Sequence, residues 1–79
     1  FVDDAGAVYV SDEDNHRVMK WMKGATEGVV VAGGRGKGED LTQLSYPQGV
    51  FVDGEGTVYV AESGNDRVTR WRKDKQQGE

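Results

Sequence analysis

The sequence predicts an all-β fold built from two copies of one repeating unit, and three observations indicate this. The 79-residue chain repeats itself at an offset of 50 residues, its apolar residues form short runs rich in Val, and its 12 glycines are spread along the chain. Apolar residues nowhere follow the spacing of an amphipathic helix. A repeat of about 40 to 50 residues is typical of arrays, solenoids and propellers.

The repeat aligns residues 1–28 with residues 51–78 without a gap. Thirteen of these 28 positions are identical, against about one or two by chance at a single offset. Both copies contain the segments F-V-D-x-x-G-x-V-Y-V and N-x-R-V-x-x-W. Turn-forming Asp, Asn and Gly separate the apolar segments, so each copy is predicted to form short strands joined by tight turns.

The first copy is predicted to contain four strands and the second copy three. The predicted strands are residues 1–2, 7–10, 17–21, 28–32, 50–52, 57–61 and 67–71. Residues 33–48 are expected to connect the copies, with one short helical turn at residues 41–45. The chain is polar after Trp71, so we expect the second copy to lack an outer strand.

Two strands, Val8-Tyr9-Val10 and Val29-Val30-Val31, are apolar without alternation. Continuous apolar strands suit a sheet that is covered on both faces. Small sheets stacked around an axis provide such cover, because each blade of a β-propeller lies between its neighbours. The continuous apolar strands therefore favour stacked blades. Residues 1–49 would form one blade with its connecting loop at 33–48, and residues 50–79 a second blade.

The segment from Pro47 to Trp71 reads P-x-G-V-F-V-D-x-x-G-x-V-Y-V-A-E-x-x-N-x-R-V-x-x-W and resembles an NHL repeat, a family of β-propeller blades. Residues 1–21 carry the same motif without its Pro-x-Gly start. The resemblance implies an incomplete propeller of four-stranded antiparallel blades, of which the chain would hold about 1.6. It places the innermost strands of the two blades at residues 1–3 and 50–53. It also implies that loops 11–16, 33–48 and 62–66 share one face of the propeller.

These loops carry the candidate binding residues. They are Asp12, Glu13, Asp14, His16, Arg35, Lys37, Glu62 and Asp66. Acidic side chains dominate this set, and the whole chain has a net charge of −4. An acidic surface repels phosphates and attracts basic partners. We therefore expect a basic protein or peptide as a partner, and no nucleic acid. The resemblance to a propeller also implies other propeller blades as partners, of the same longer chain or of other chains.

Residues identical in both copies are expected to be structural, because a unique site would not repeat. Asn suits a turn, Arg can bind carbonyl groups between blades, and Trp and Tyr can pack between blades. These pairs are Asn15 and Asn65, Arg17 and Arg67, Trp21 and Trp71, and Tyr9 and Tyr59.

The sequence contains no recognisable catalytic or cofactor-binding constellation. It has no Cys, and His16 is its one histidine, so the chain itself holds no triad with His and a thiol and no His-rich metal site. Residues 12–14 lack the Gly and Glu of an EF-hand loop, and residues 33–38 lack the Ser or Thr and the helix of a phosphate loop. We expect no metal, no cofactor and no catalysis by this chain.

Three functions agree with these observations. A non-catalytic binding or scaffold module of an NHL-type propeller is favoured. The chain is alternatively part of a propeller lyase or hydrolase whose active site lies in other blades, or a structural or engineered fragment. The longest purely apolar stretch, residues 29–32, is too short to span a bilayer, so no membrane partner is expected.

Overall fold

The computed structural model describes all 79 residues and consists of two antiparallel β-sheets of three strands each. The strands are β1 Val8–Asp12, β2 Arg17–Trp21, β3 Val29–Gly33, β4 Pro47–Val52, β5 Val58–Glu62 and β6 Arg67–Trp71. Consecutive strands are neighbours in both sheets, β1-β2-β3 in the first sheet and β4-β5-β6 in the second. The predicted all-β fold is confirmed. None of the structure's helices is long and apolar enough to cross a membrane.

The prediction of four-stranded blades is wrong, because each sheet has three strands. The predicted innermost strand at residues 1–3 is reduced to one bridge between Val2 and Val8. Its counterpart in the second copy, β4, begins at Pro47, four residues before the position equivalent to Phe1. A pairing limited to the first two residues is too short to form a strand.

The remaining boundaries differ from the predictions by a few residues. Strands β2 and β6 have their predicted bounds, whereas β4 begins at Pro47 instead of residue 50. The predicted helical turn at residues 41–45 is wrong, because this segment forms non-helical turns, and the single 3-10 turn lies at Glu13–Asn15. In the second sheet, Arg70 and Glu79 exchange two backbone hydrogen bonds of 2.9 Å. Glu79 thereby pairs where an outer strand would begin.

The core lies between the two sheets. Its buried residues are Ala7, Tyr9, Val18, Ala32, Leu44, Val52, Val58, Val60 and Trp71. Strands β1 and β2 of the first sheet contact β4 of the second. Leu44 comes from the connecting loop and is fully buried, so the loop as well as the sheets contributes to the core. Burial of these apolar side chains is what holds one sheet against the other.

Candidate functional site

The resemblance to NHL repeats implies that the two turns and the connecting loop share one face, and in the structure they contact one another. The N–H of Gly34 donates to the carbonyl of His16 over 3.2 Å, which fixes the β1–β2 turn to the connecting loop. The N–H of Ser63 donates to the carbonyl of Tyr46 over 3.1 Å, which fixes the β5–β6 turn to the same loop. We call this surface, formed by residues 12–16, 34–46 and 62–66, the loop face.

Tyr46 is hydrogen-bonded to both turns of the loop face and is 40% exposed. Its N–H donates to His16 Nδ1 over 3.1 Å, and the two rings meet edge to face with centroids 4.6 Å apart. Lys37 Nζ lies 4.8 Å from the Tyr46 ring centroid, within the range of a cation–π contact. Tyr46 was not among the predicted site residues. Its signal in the sequence is that it is the one Tyr outside the repeated V-Y-V segments.

His16 and Tyr46 reach each other because both have left-handed backbone conformations, with φ of 51° and 48°. Asp66, the counterpart of His16 in the second copy, has a φ of 49°. The position after the repeated Asn is therefore left-handed in both turns. Gly33 is needed beside this contact, since a Cβ there would lie 2.5 Å from the His16 carbonyl oxygen.

Exposed carboxylates lie on both turns and on the connecting loop of the loop face. They are Glu13, Asp14, Glu39, Asp40 and Asp66, and two exposed cations, Arg35 and Lys37, accompany them. Arg35 is turned toward the second sheet, where its Nη2 donates to Gln76 Oε1 over 3.0 Å. The exposed part of the loop face is therefore acidic, as its sequence predicts.

Glu62, also a predicted site residue, is buried and has four hydrogen-bond donors. Its Oε1 accepts from the Ser45 N–H at 3.0 Å and from Asn65 Nδ2 at 2.9 Å. Its Oε2 accepts from Arg67 Nε and from Thr69 Oγ1, both at 2.9 Å. Both oxygens are occupied, so this carboxylate orders the loop face from below and is not available to a ligand.

The repeated Asn and Arg of the second copy hold the connecting loop in place. Asn65 Nδ2 donates to the Gly38 carbonyl over 3.0 Å. Arg67 Nη1 donates to the Glu39 carbonyl over 2.9 Å, and its Nη2 donates to the Gln43 carbonyl over 3.1 Å. The structural role that repetition predicts for Asn-x-Arg is confirmed in this copy.

The first copy contains the same set of hydrogen-bonded acid, Asn and Arg side chains, but no connecting loop packs against it. Asp12 accepts from Asn15 Nδ2 at 3.0 Å and from Arg17 Nε at 2.9 Å. These two bonds, the one from Asn15 first, hold the pKa of Asp12 below its ordinary value. Arg17 donates no further hydrogen bond, so its remaining N–H groups face solvent.

Two other features of the structure bear on possible chemistry. No group of three or more His, Asp or Glu side chains is arranged to hold a metal ion. A groove of about 740 Å³ opens between the sheets and is lined by residues of both, among them Val30, Asp53 and Trp71. The loop face is the surface on which the structure assembles most of the predicted site residues.

The fold and the loop face define an all-β repeat protein in which two equivalent antiparallel sheets are joined by an anchored connecting loop. The chain matches no protein-family model, and no curated protein matches it. The resemblance of its repeat to NHL blades stays a prediction that depends on the quoted motif.

Proposed function

We propose that this chain is a non-catalytic binding or scaffold module, part of an NHL-type β-propeller, whose loop face binds a basic protein or peptide. The observation that carries the proposal is the exposed Tyr46, which is hydrogen-bonded through its backbone to both turns and lies on a loop face whose exposed side chains are mainly acidic. A cation is attracted both to an aromatic face and to nearby carboxylates.

The loop face is ordered before any ligand arrives, which favours binding. Glu62 and Arg67 fix the loop through hydrogen bonds with its backbone, and His16 fixes Tyr46. A surface that is already ordered loses less conformational entropy when a partner binds. Lys37 over Tyr46 serves as an internal example of the contact that a Lys or Arg of the partner would make.

The propeller part of the proposal is supported by the equivalence of the two sheets. Strands β1 and β2 form five residue pairs, and β5 and β6 form the five equivalent pairs 50 residues later. For example, Val8 pairs with Trp21, and Val58 pairs with Trp71. The sheets stack face to face with a shared core, which is the arrangement of neighbouring blades.

A titration of the chain with a fluorescently labelled Lys- and Arg-rich peptide tests the binding proposal, followed by fluorescence anisotropy. We expect saturable binding at low salt that weakens as salt is raised. Each exposed ion pair is worth about 0.2–1 kcal/mol, so the triple variant Glu13→Gln, Asp14→Asn and Asp66→Asn should bind about tenfold more weakly.

The control is the double variant Glu27→Gln and Glu55→Gln, which removes exposed carboxylates outside the loop face. Tyr46→Leu, which keeps an apolar side chain and removes the ring, should also weaken binding. The proposal is wrong when the peptide does not bind at low salt, or when the control lowers affinity as much as the loop-face variant does.

A further inference from the structure

Equivalent valines of the two copies have opposite exposure. Val8 and Val10 of β1 are 39% and 43% exposed, whereas their counterparts Val58 and Val60 of β5 are 3% and 0% exposed. The strand pairing places Val8 with Trp21 and Val58 with Trp71, so each Trp shares a sheet face with these valines. We call this the front face of each sheet.

We call the opposite face of each sheet the back face. There the first sheet is buried and the second sheet is exposed. Val18 of the first sheet is 0% exposed, whereas its counterpart Val68 is 67% exposed. Tyr9 is buried, and its counterpart Tyr59 is half-buried. Phe51 pairs with Tyr59 and is also exposed on this face. The core therefore forms where the front face of the second sheet covers the back face of the first.

The two faces left open carry the residues that build this internal interface. On the front face, Val8, Val10 and Trp21 of the first sheet are identical to the buried Val58, Val60 and Trp71. On the back face, Tyr59 and Val68 of the second sheet are identical to the buried Tyr9 and Val18. The open surfaces thus repeat the two halves of an interface that already exists within the molecule.

We propose that a second copy of this chain docks head to tail, so that the front face of its first sheet covers the back face of the second sheet. The complementarity of these faces is shown inside each chain, where the same side chains pack against one another. Such an interface joins two different surfaces, so assembly continues into a ring or an open chain instead of stopping at a symmetric dimer.

The docked interface is smaller than the internal one. Ala32 of β3 and Leu44 of the connecting loop belong to the internal core, and residues 50–79 contain no counterpart of either. Residues 50–79 also contain no equivalent of the loop carbonyls at Glu39 and Gln43 that Arg67 binds, so docking supplies no such acceptors to Arg17. We therefore expect association with a dissociation constant between about 10 μM and 1 mM, the range of weak specific contacts, with no contribution from Arg17.

Sedimentation of the chain and of two single variants tests the proposal. The wild-type chain should form species larger than a dimer as its concentration rises to about 1 mM. Val10→Lys disables the front face and Val68→Lys disables the back face, so each variant alone should sediment as a monomer. An equal mixture should form a one-to-one dimer and stop there, because only the Val68→Lys front face and the Val10→Lys back face are intact.

Val29→Lys is the matched control, since Val29 is exposed but lies on neither open face. It should associate like the wild type, and so should Arg17→Ala. Far-UV circular dichroism establishes that each variant is folded, and Val8→Lys replaces Val10→Lys when the latter is unfolded. A monomeric wild type at about 1 mM, a monomeric mixture, or either face variant associating alone as strongly as the wild type overturns the proposal.

Discussion

Replacement of Glu62 by alanine should be among the most damaging single changes in this chain. The buried carboxylate accepts four hydrogen bonds, and its loss leaves the N–H of Ser45 and the hydroxyl of Thr69 without this acceptor in the interior. It also removes the charge partner of Arg67. The connecting loop would lose the attachment to β5 that Glu62 makes through the Ser45 N–H.

The magnitude follows from the exposure of the partners. An unsatisfied buried donor costs about 1–3 kcal/mol, and breaking a buried ion pair costs about 3–5 kcal/mol. The Arg67 side chain is 26% exposed and keeps its bonds to loop carbonyls, so we take the lower end, about 3 kcal/mol. A chain of this length has a total free energy of unfolding of about 4–12 kcal/mol. Glu62→Ala would therefore remove a large part of it.

The repeat offers a matched control at the equivalent position. Asp12 accepts from Asn15 and Arg17 as Glu62 does from Asn65 and Arg67, but its ion pair is partly exposed. A partly exposed ion pair contributes little to stability, so Asp12→Ala should cost much less than Glu62→Ala. Urea unfolding followed by tryptophan fluorescence, at low micromolar chain, measures both variants. Equal losses for the two would refute the assignment of different roles to these acids.

Two further predictions concern the core and the acid range. Leu44→Ala should lower the free energy of unfolding by about 2–5 kcal/mol because Leu44 is fully buried. Leu41→Ala, at an exposed position, should change it by less than about 0.5 kcal/mol. Thermal unfolding of both variants tests this, and similar melting temperatures would contradict the prediction for Leu44. Asp3 and Asp53 have a pKa below the ordinary 3.8, chiefly because the backbone N–H four residues on donates to each. Their contribution to stability is full above that pH and is lost as pH falls below it. Asp53→Asn should flatten the acid end of the stability–pH curve, and an unchanged slope would count against this role.

The strands that the sequence predicts best are those bounded by their own local signals. Strands β2 and β6 begin after a turn that contains the repeated Asn and end at a Trp, and both have their predicted bounds. The failure at residues 1–3 has a different cause. Their F-V-D pattern is the same as at Phe51, but a strand also needs a partner over several residues, and only Val2 forms a bridge.

The predicted site was partly correct because turns and connecting loops are identifiable locally, whereas their contacts are not. Tyr46 and His16 are 30 residues apart, and nothing near Tyr46 in the sequence indicates that its N–H reaches an imidazole nitrogen. Glu62 and Asp12 occupy the same motif position, so the motif alone assigns both to the surface. They differ because the connecting loop covers one and not the other.

Identical valines of the two copies differ in burial, so the repeated sequence alone does not determine which face of a sheet is covered. Stacked repeats remain soluble when their terminal units present polar outer faces. In this chain the open front face of the first sheet exposes Val10, and the open back face of the second sheet exposes Val68. Each copy therefore has apolar residues for a neighbour on both sides, and within the chain each copy covers the other on one side only. A polar residue at Val68 would leave the internal core intact and remove the surface on which head-to-tail docking depends.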